Sequence, residues 1–152
     1  MSRFADGIVA FERGDFNKAA ALFTAAINGG DNVAAALSKR GVCRLKWRDS
    51  AAAERDFRQA IAVDDRCLSA IVNLGNLMLE RGELDDAQVY YDRAVRIDET
   101  YAFAHYNLGV LHRKRGDLAA SIRELRLAAK YEVKSQSIRK RLAWRNRRNR
   151  NP

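Results

Sequence analysis

The stretch "SAIVNLGNLMLERGELDDAQVYYDRAVRI", residues 69–97, contains two segments of helical periodicity separated by a turn. Apolar residues recur three and four positions apart in "SAIVNLGNLMLE" and again in "DDAQVYYDRAVRI", which is the spacing of amphipathic helices. Gly82 lies just past the first segment, where a positive φ ends a helix at little cost. Asp85 lies near the start of the second, where capping and the helix dipole favour an acidic residue. The stretch therefore predicts two helices joined by a tight turn.

The same features return along the chain every 34 residues, which indicates an internal repeat. Gly75 and Ala87 let two helix backbones approach closely, and Tyr91 fills the space beside them. One helix pair cannot bury its apolar face alone, so the units must stack. The columns that keep this register are Gly7, Gly41, Gly75 and Gly109; Ala19, Ala53, Ala87 and Ser121; Phe23, Phe57, Tyr91 and Leu125; Ala26, Ala60, Ala94 and Ala128; and Gly14, Gly82 and Gly116, with Arg48 as the exception.

The tripeptide Arg13-Gly14-Asp15 has two interpretations, an adhesion signal or part of the repeat. It recurs as Arg115-Gly116-Asp117, 102 residues on, which is three repeat lengths. An adhesion signal needs an exposed loop, usually in a secreted protein, and the N-terminal residues show no basic region followed by an apolar core. We therefore predict that the tripeptide is the turn between two helices.

The 34-residue pattern resembles the tetratricopeptide repeat family, whose signature places Leu-Gly in the first helix and Ala, a large aromatic and Ala in the second. The sequence matches it with "NLG" at 73–75 and 107–109 and with Ala87, Tyr91 and Ala94. The resemblance implies an all-α fold, an α-solenoid of antiparallel helix pairs wound as a right-handed superhelix. The expected organisation is four repeats within 1–135 (1–33, 34–67, 68–101 and 102–135), a capping helix at 136–146 and a basic disordered tail at 147–152.

Two departures from the family pattern carry expectations of their own. The Pro that usually closes each unit is replaced by Asp31, Asp65, Glu99 and Val133, which predicts altered angles between units. Asp6 stands in the first unit where Leu is usual, which predicts an N-terminal helix that is frayed or covered by a partner.

The resemblance assigns the concave face to the first helix of each unit. Asn73 and Asn107 share one repeat position, and an Asn amide can pair with a peptide backbone whatever its side chains; alternatively, both are incidental polar residues on a solvated face. The surrounding apolar residues favour a ligand with hydrophobic anchors, either extended or an amphipathic helix, and the lysines and arginine tolerate acidic flanks. The predicted peptide-binding groove consists of Phe4, Ile8, Phe11, Lys39, Val42, Lys46, Val72, Asn73, Asn76, Phe103, Tyr106, Asn107, Val110, Arg113 and Lys114.

A subset of the family grips the C-terminal carboxylate of heat-shock chaperones with a Lys/Asn/Asn/Lys/Arg clamp. In the frame of residues 34–135 only Asn73 matches a clamp position. We therefore do not expect a chaperone clamp.

The basic character of the chain belongs to its C-terminal segment. The net charge is +9, but without the seven basic residues after position 135 the chain carries 21 basic and 19 acidic residues. The tail is either solvated or contacts an anionic surface such as RNA, DNA, anionic lipid or an acidic protein through counterion release. The predicted anion-binding tail consists of Arg139, Lys140, Arg141, Arg145, Arg147, Arg148 and Arg150.

The sequence contains no pattern that indicates catalysis. There is no P-loop, GxSxG or HExxH motif. His105 and His112 share a helix face but occupy packing positions, and Cys43 and Cys67 have no CxxC partner, so we interpret all four as structural and the chain as reduced. We predict no enzyme, no metal and no cofactor, and a cytoplasmic protein with no transmembrane segment.

The predicted function is that of a non-catalytic adaptor or scaffold for protein–protein interaction, which binds a peptide or partner protein in its concave groove. Two alternatives stay open. The first is a nucleic-acid- or ribosome-associated protein that uses the Arg-rich tail. The second is a self-associating repeat protein, in which the apolar N-terminal unit of one copy docks into the groove of another to give a homo-oligomer.

Overall fold

The computed structural model describes residues 2–148 of the chain, except the side chains of Trp144 and of 146–148. This part of the chain forms eight helices, and each predicted repeat contains one pair of them. Their bounds are α1 Arg3–Glu12, α2 Phe16–Asn28, α3 Val33–Lys46, α4 Ser50–Val63, α5 Leu68–Glu80, α6 Leu84–Ile97, α7 Ala102–Lys114 and α8 Leu118–Arg148. The all-α fold class predicted from the repeat is confirmed.

The turns between paired helices follow the register of the sequence. Gly14, Gly82 and Gly116 have φ of 78°, 79° and 80°, and Arg48, at the same repeat position, has φ of 59°. The next residue is the N-cap of the second helix in the first repeat, where the side chain of Asp15 accepts a hydrogen bond from the amide of Lys18. The interpretation of the Arg-Gly-Asp tripeptide as a turn is therefore confirmed.

The glycine and aromatic columns meet in space within each helix pair. A Cβ added to Gly41 would lie 2.6 Å from Cε1 of Phe57, and one added to Gly7 would lie 2.6 Å from Cε1 of Phe23. Both phenylalanines are completely buried. The glycines are required because the ring of the second helix occupies the space where a side chain would stand.

The chain divides into two compact units, residues 1–90 and 91–152, with the boundary inside α6. In the first unit, α1 packs on α2, α2 on α3, α3 on α4, and α5 on α4 and α3. The core at its N-terminal end is built from small and aromatic residues including Ala19, Phe23 and Ala26. The second unit contains the end of α6 and the pair α7 and α8, which pack along each other.

The N-terminal helix is formed and capped at its first turn. Ser2 accepts a hydrogen bond from the amide of Ala5 through its Oγ, at 3.0 Å. Asp31 accepts one from the amide of Phe4 at 2.9 Å, and this bond holds the pKa of the Asp31 carboxyl below its usual value. An acidic residue at the closing position of the first repeat thus ties the start of α1 to the loop that follows α2.

The last helix differs from the expected organisation, because α8 continues without a break through the second helix of the fourth repeat and through 136–146. Earlier repeats end at sequences such as "NGGDN", residues 28–32, or "VDDR", residues 63–66, which stop a helix. The corresponding "EVKSQS", residues 132–137, contains no Gly, Pro, Asn or Asp, the residues that favour a turn. The segment expected as a separate cap is therefore an extension of α8.

Candidate functional site

The predicted groove residues all lie on α1, α3, α5 and α7, the first helices of their repeats. Those on the first three of these helices belong to the first unit, and those on α7 belong to the second. The two sets differ in how deeply their side chains are buried.

The aromatic residues predicted for the groove in the first unit pack against its core. Phe4, Ile8 and Phe11 are partly buried on the core cluster, and the rings of Phe4 and Phe23 lie 5.9 Å apart. These side chains are part of the hydrophobic core and present only an edge to a ligand.

Two lysines of α3 lie over aromatic rings of the first repeat. Lys39 Nζ is 4.9 Å from the centre of the Phe11 ring, and Lys46 Nζ is 5.2 Å from that of Phe16. The two rings meet edge to face at 5.4 Å. Cation–π contact holds both ammonium groups beside an apolar surface, which is an arrangement suited to a ligand with both acidic and apolar groups.

The two asparagines make the same hydrogen bond, one repeat apart. Asn73 Nδ2 donates to the carbonyl of Ser69 at 2.7 Å, and Asn107 Nδ2 donates to the carbonyl of Phe103 at 2.8 Å. Each bond runs back four residues along the helix and fixes the side-chain conformation. It uses one of the two amide hydrogens, so each amide has a further hydrogen and its oxygen for other partners.

Val72 has no accessible surface, so it offers nothing to a ligand. Ser38, the equivalent residue one repeat earlier, is also buried, and its Oγ lies 2.6 Å from that of Ser69 on α5. Val42 and Asn76 are partly buried.

In the second unit, the predicted groove residues are more accessible. Phe103 and Tyr106 are exposed, as are Arg113 and Lys114 at the end of α7, whereas Asn107 is buried. Val110 is partly buried. A cavity of about 480 Å³ lies between α7 and α8, lined by Ala102, Phe103, Tyr106, Leu125, Ala128, Ala129 and Glu132.

A second depression in this unit was not predicted from the sequence. Its volume is about 730 Å³, and Tyr101, Phe103 and Tyr131 line it together with Lys134 and Arg139. Ile138 and Arg139, which line part of it, lie on the extension of α8 beyond residue 135.

His105 and Cys43 have structural environments. Both ring nitrogens of His105 are engaged, Nδ1 with a carboxylate oxygen of Glu124 and Nε2 with the carbonyl of Glu99, each at 2.7 Å. Burial raises the pKa of the Cys43 thiol, which disfavours the reactive thiolate. These geometries agree with the interpretation of both residues as structural.

A buried ion-pair cluster in the first unit was missed by sequence reasoning. Asp56 of α4 is almost inaccessible and binds Arg40 through two hydrogen bonds of 2.7 and 3.0 Å and Arg44 at 3.0 Å. The only available sequence signal was the spacing of Arg40 and Arg44, four residues apart on one face of a helix.

The basic residues predicted as a tail lie mainly on α8. Arg139, Lys140, Arg141 and Arg145 are exposed on this helix. Arg147 and Arg148 are its last two residues, and Arg150 lies outside the described residues. None of the described helices is long and apolar enough to cross a membrane.

Comparison with known proteins identifies the repeat. Residues 75–116 match a family model described as "TPR repeat". The structure is similar to the crystal structure of MamA, with a TM-score of 0.69 and 20% identity, covering 89% of this chain and 79% of that one. It is also similar to the first TPR of Spaghetti (RPAP3) bound to the HSP90 peptide SRMEEVD, with a TM-score of 0.67 and 18% identity, covering 75% and 90%.

A third similar structure is YrrB, described as a TPR protein with an unusual peptide-binding site. Its TM-score is 0.65 at 19% identity, covering 85% of this chain and 66% of that one. No curated protein sequence matches the chain significantly. At these identities the likeness to solved structures shows the fold, that of an α-solenoid.

Proposed function

We propose that the chain, which matches a TPR repeat model over residues 75–116 and has the fold of the TPR structures it resembles, is a non-catalytic adaptor which binds a peptide or partner protein on the first helices of its repeats. Proteins of this family are generally non-catalytic interaction modules. The observation that carries the proposal is the matching hydrogen bond of Asn73 and Asn107. An amide already held in one conformation loses little side-chain entropy when it binds a peptide backbone.

Basic side chains on the first helices of the repeats favour a ligand with acidic groups. Lys39 and Lys46 lie over aromatic rings in the first unit, and Arg113 and Lys114 are exposed on α7 in the second. An ammonium group beside an apolar surface gains from pairing with a carboxylate that is itself partly desolvated. Peptide binding by two proteins of similar fold, one with an HSP90 peptide and one with an unusual site, supports a peptide ligand as a class.

The test is a display screen of random peptides against the full chain, followed by affinity measurement for the selected peptides. The double variant Asn73→Ala and Asn107→Ala is expected to weaken binding by about tenfold or more, since two hydrogen bonds of about 1 kcal/mol each are removed. The matched control is Asn17→Ala, an exposed asparagine of α2. Thermal unfolding establishes that both variants are folded, and equal affinity in all three proteins would refute the role of the asparagines.

A second candidate function is binding to a polyanion through the end of α8. It is favoured by four exposed basic residues, Arg139, Lys140, Arg141 and Arg145, on a helix that carries no acidic residue after Glu132. Deleting 145–152 and measuring RNA and DNA binding against salt concentration tests it. We expect weaker binding and a smaller salt slope on deletion, because fewer counterions are released. Unchanged binding, or no dependence on salt, would exclude this candidate.

A further inference from the structure

An apolar surface is exposed on the last helix pair. It is formed by Phe103 and Tyr106 of α7 with Ile122, Leu125 and Ala129 of α8, and we call it the α7–α8 face. Ile122, Leu125 and Ala129 are three and four residues apart and so lie on one side of α8. The side chains of Phe103, Tyr106 and Ile122 are about half exposed. Part of this surface is concave, because the cavity of about 480 Å³ opens here.

The same repeat positions are buried in earlier repeats. Tyr106 is 53% exposed, whereas Val72 and Ser38, one and two repeats earlier, are 0% and 1% exposed. Leu125 is 36% exposed, whereas Phe57 and Phe23 at the same position are completely buried. The α7–α8 face therefore contains positions that are buried in the earlier repeats.

The first unit shows what covers this position when it is buried. There α3 packs on α2, and α5 packs on α4 and α3, so each pair receives the first helix of the next repeat. The contact between Ser38 of α3 and Ser69 of α5 is part of this packing. The α7–α8 face thus has the shape that accepts one helix. Residues 136–146 do not cover it, because they continue α8 instead of turning back.

The charges around the α7–α8 face favour some partner helices over others. Exposed basic residues are plentiful on the two helices: Arg113 and Lys114 on α7, and Arg123, Arg126 and Lys130 on α8. Glu132 is the one exposed acidic residue of α7 and of α8 within the described part of the chain, and Glu124 is held by His105. A second copy packed face to face through the same surface would bring like charges together, which costs affinity. An acidic helix would instead be attracted.

We propose that the α7–α8 face binds an acidic amphipathic helix of a partner protein, in the position of a following repeat's first helix. The apolar side of such a helix inserts into the cavity between α7 and α8, and its carboxylates lie beside the arginines and lysines of the rim. Phe103 and Tyr106 also belong to the predicted groove, whereas Asn73 and Asn107 do not line the cavity, so the asparagine variant distinguishes this proposal from the proposed function.

The test uses a synthetic probe of about 18 residues that carries Leu at every third or fourth position and Glu and Ala elsewhere. Its affinity for the full chain is measured by fluorescence anisotropy at two salt concentrations. We expect binding that weakens at high salt and is at least tenfold weaker for a control peptide with Lys in place of Glu. Equal binding of both peptides, or none of either, would overturn the proposal.

Two sets of variants locate the site. Tyr106→Gln with Ile122→Gln is expected to weaken the Glu peptide by about tenfold, because it removes the apolar contact. Arg126→Glu with Lys130→Glu is expected to weaken it and to abolish the salt dependence. The matched control is Val9→Gln, an exposed apolar residue of α1. Unfolding curves establish that every variant is folded, and full affinity in the first double variant would place the peptide elsewhere and refute the site.

Competing occupants give different results in the same experiment. Sedimentation at several concentrations detects a dimer, and a dimer lost in Tyr106→Gln with Ile122→Gln would make a second copy the occupant and overturn the proposal. The proposal would also be overturned by an RNA oligonucleotide that displaces the Glu peptide and binds more weakly to Tyr106→Gln with Ile122→Gln. We expect the Glu peptide to bind the variant Asn73→Ala with Asn107→Ala as tightly as it binds the parent. Loss of that binding would place the peptide in the predicted groove and overturn the proposal.

Discussion

Replacing the buried carboxylate of Asp56 by an amide should destabilise the protein far more than the same change at the protein surface. Asp56 accepts from Arg40 with both oxygens and from Arg44 with one, and only 3% of its side chain is exposed. In Asp56→Asn one amide N–H must face a guanidinium N–H, and one arginine loses its countercharge. Removing one partner of a buried pair costs about 3–5 kcal/mol.

The arginines reduce that figure, because both reach solvent at one edge: 15% of the Arg40 side chain and 28% of the Arg44 side chain are exposed. Water can satisfy part of what Asp56→Asn leaves unpaired, so we expect a loss of about 2–3 kcal/mol, between the buried and exposed limits. For a chain of this length that corresponds to a fall in melting temperature of roughly 4–12 °C.

The matched control is Glu54→Gln, two residues away on the same helix. Glu54 also binds two arginines, Arg58 and Arg81, and the pKa of its carboxyl is lowered by Arg81 and then by Arg58. Its partners are exposed, so the change should cost at most about 1 kcal/mol. The assay is urea unfolding followed by circular dichroism, with the free energy of unfolding extrapolated to water. Equal losses for Asp56→Asn and Glu54→Gln would refute the conclusion that burial sets the cost.

Three further changes test other features. Arg48→Gly should raise the free energy of unfolding by up to about 1 kcal/mol, measured by urea unfolding, because Arg48 has a φ of 59° that glycine adopts without strain; a lower midpoint would contradict this. Gly41→Ala should destabilise by about 1–2 kcal/mol, because overpacking against the Phe57 ring exceeds the gain in helix propensity; an unchanged free energy of unfolding would contradict this. For Asp31→Asn, the deficit relative to the parent should be full above pH 3.8 and shrink as the pH falls, because the lowered pKa means that the Asp31 carboxylate stabilises the fold until it is protonated; a deficit that is constant with pH would contradict this.

The sequence predicted the elements whose causes are local or repeated. The 34-residue spacing of glycines and large apolar residues requires a close approach at each repeat, and Gly7 with Phe23 and Gly41 with Phe57 make that contact. The turn glycines were predictable because a positive φ is costly for other residues. Arg48 shows the limit of that rule, since the surrounding turn imposes the same conformation on an arginine.

The end of α8 was not predicted, because the sequence was interpreted by analogy with the earlier repeats. Those repeats have residues that stop a helix, and the fourth does not. A helix continues when nothing ends it, since each added residue gains one hydrogen bond. The composition of residues 132–137 contained this information.

The candidate groove was predictable in register but not in accessibility. Val72 and Tyr106 share one repeat position, yet one is buried and the other exposed. Spacing along a chain fixes which side of a helix a residue occupies, whereas exposure depends on the helices that pack over it. Asn73 and Asn107 were selected because they share one repeat position, and the structure gives both the same hydrogen bond within their helices.

The repeat also determines how quickly this protein can fold. The longest hydrogen bonds between side chains and other groups described here, such as Cys67 to the carbonyl of Ala34, span 33 residues, about one repeat length. Contacts this local carry a small loop-closure cost, and helical proteins with such contacts fold in microseconds to milliseconds. The one proline of the chain is Pro152, so no proline inside the repeats has to isomerise. Refolding from urea should therefore be complete without a phase lasting seconds, and each helix pair can serve as the template on which the next one condenses.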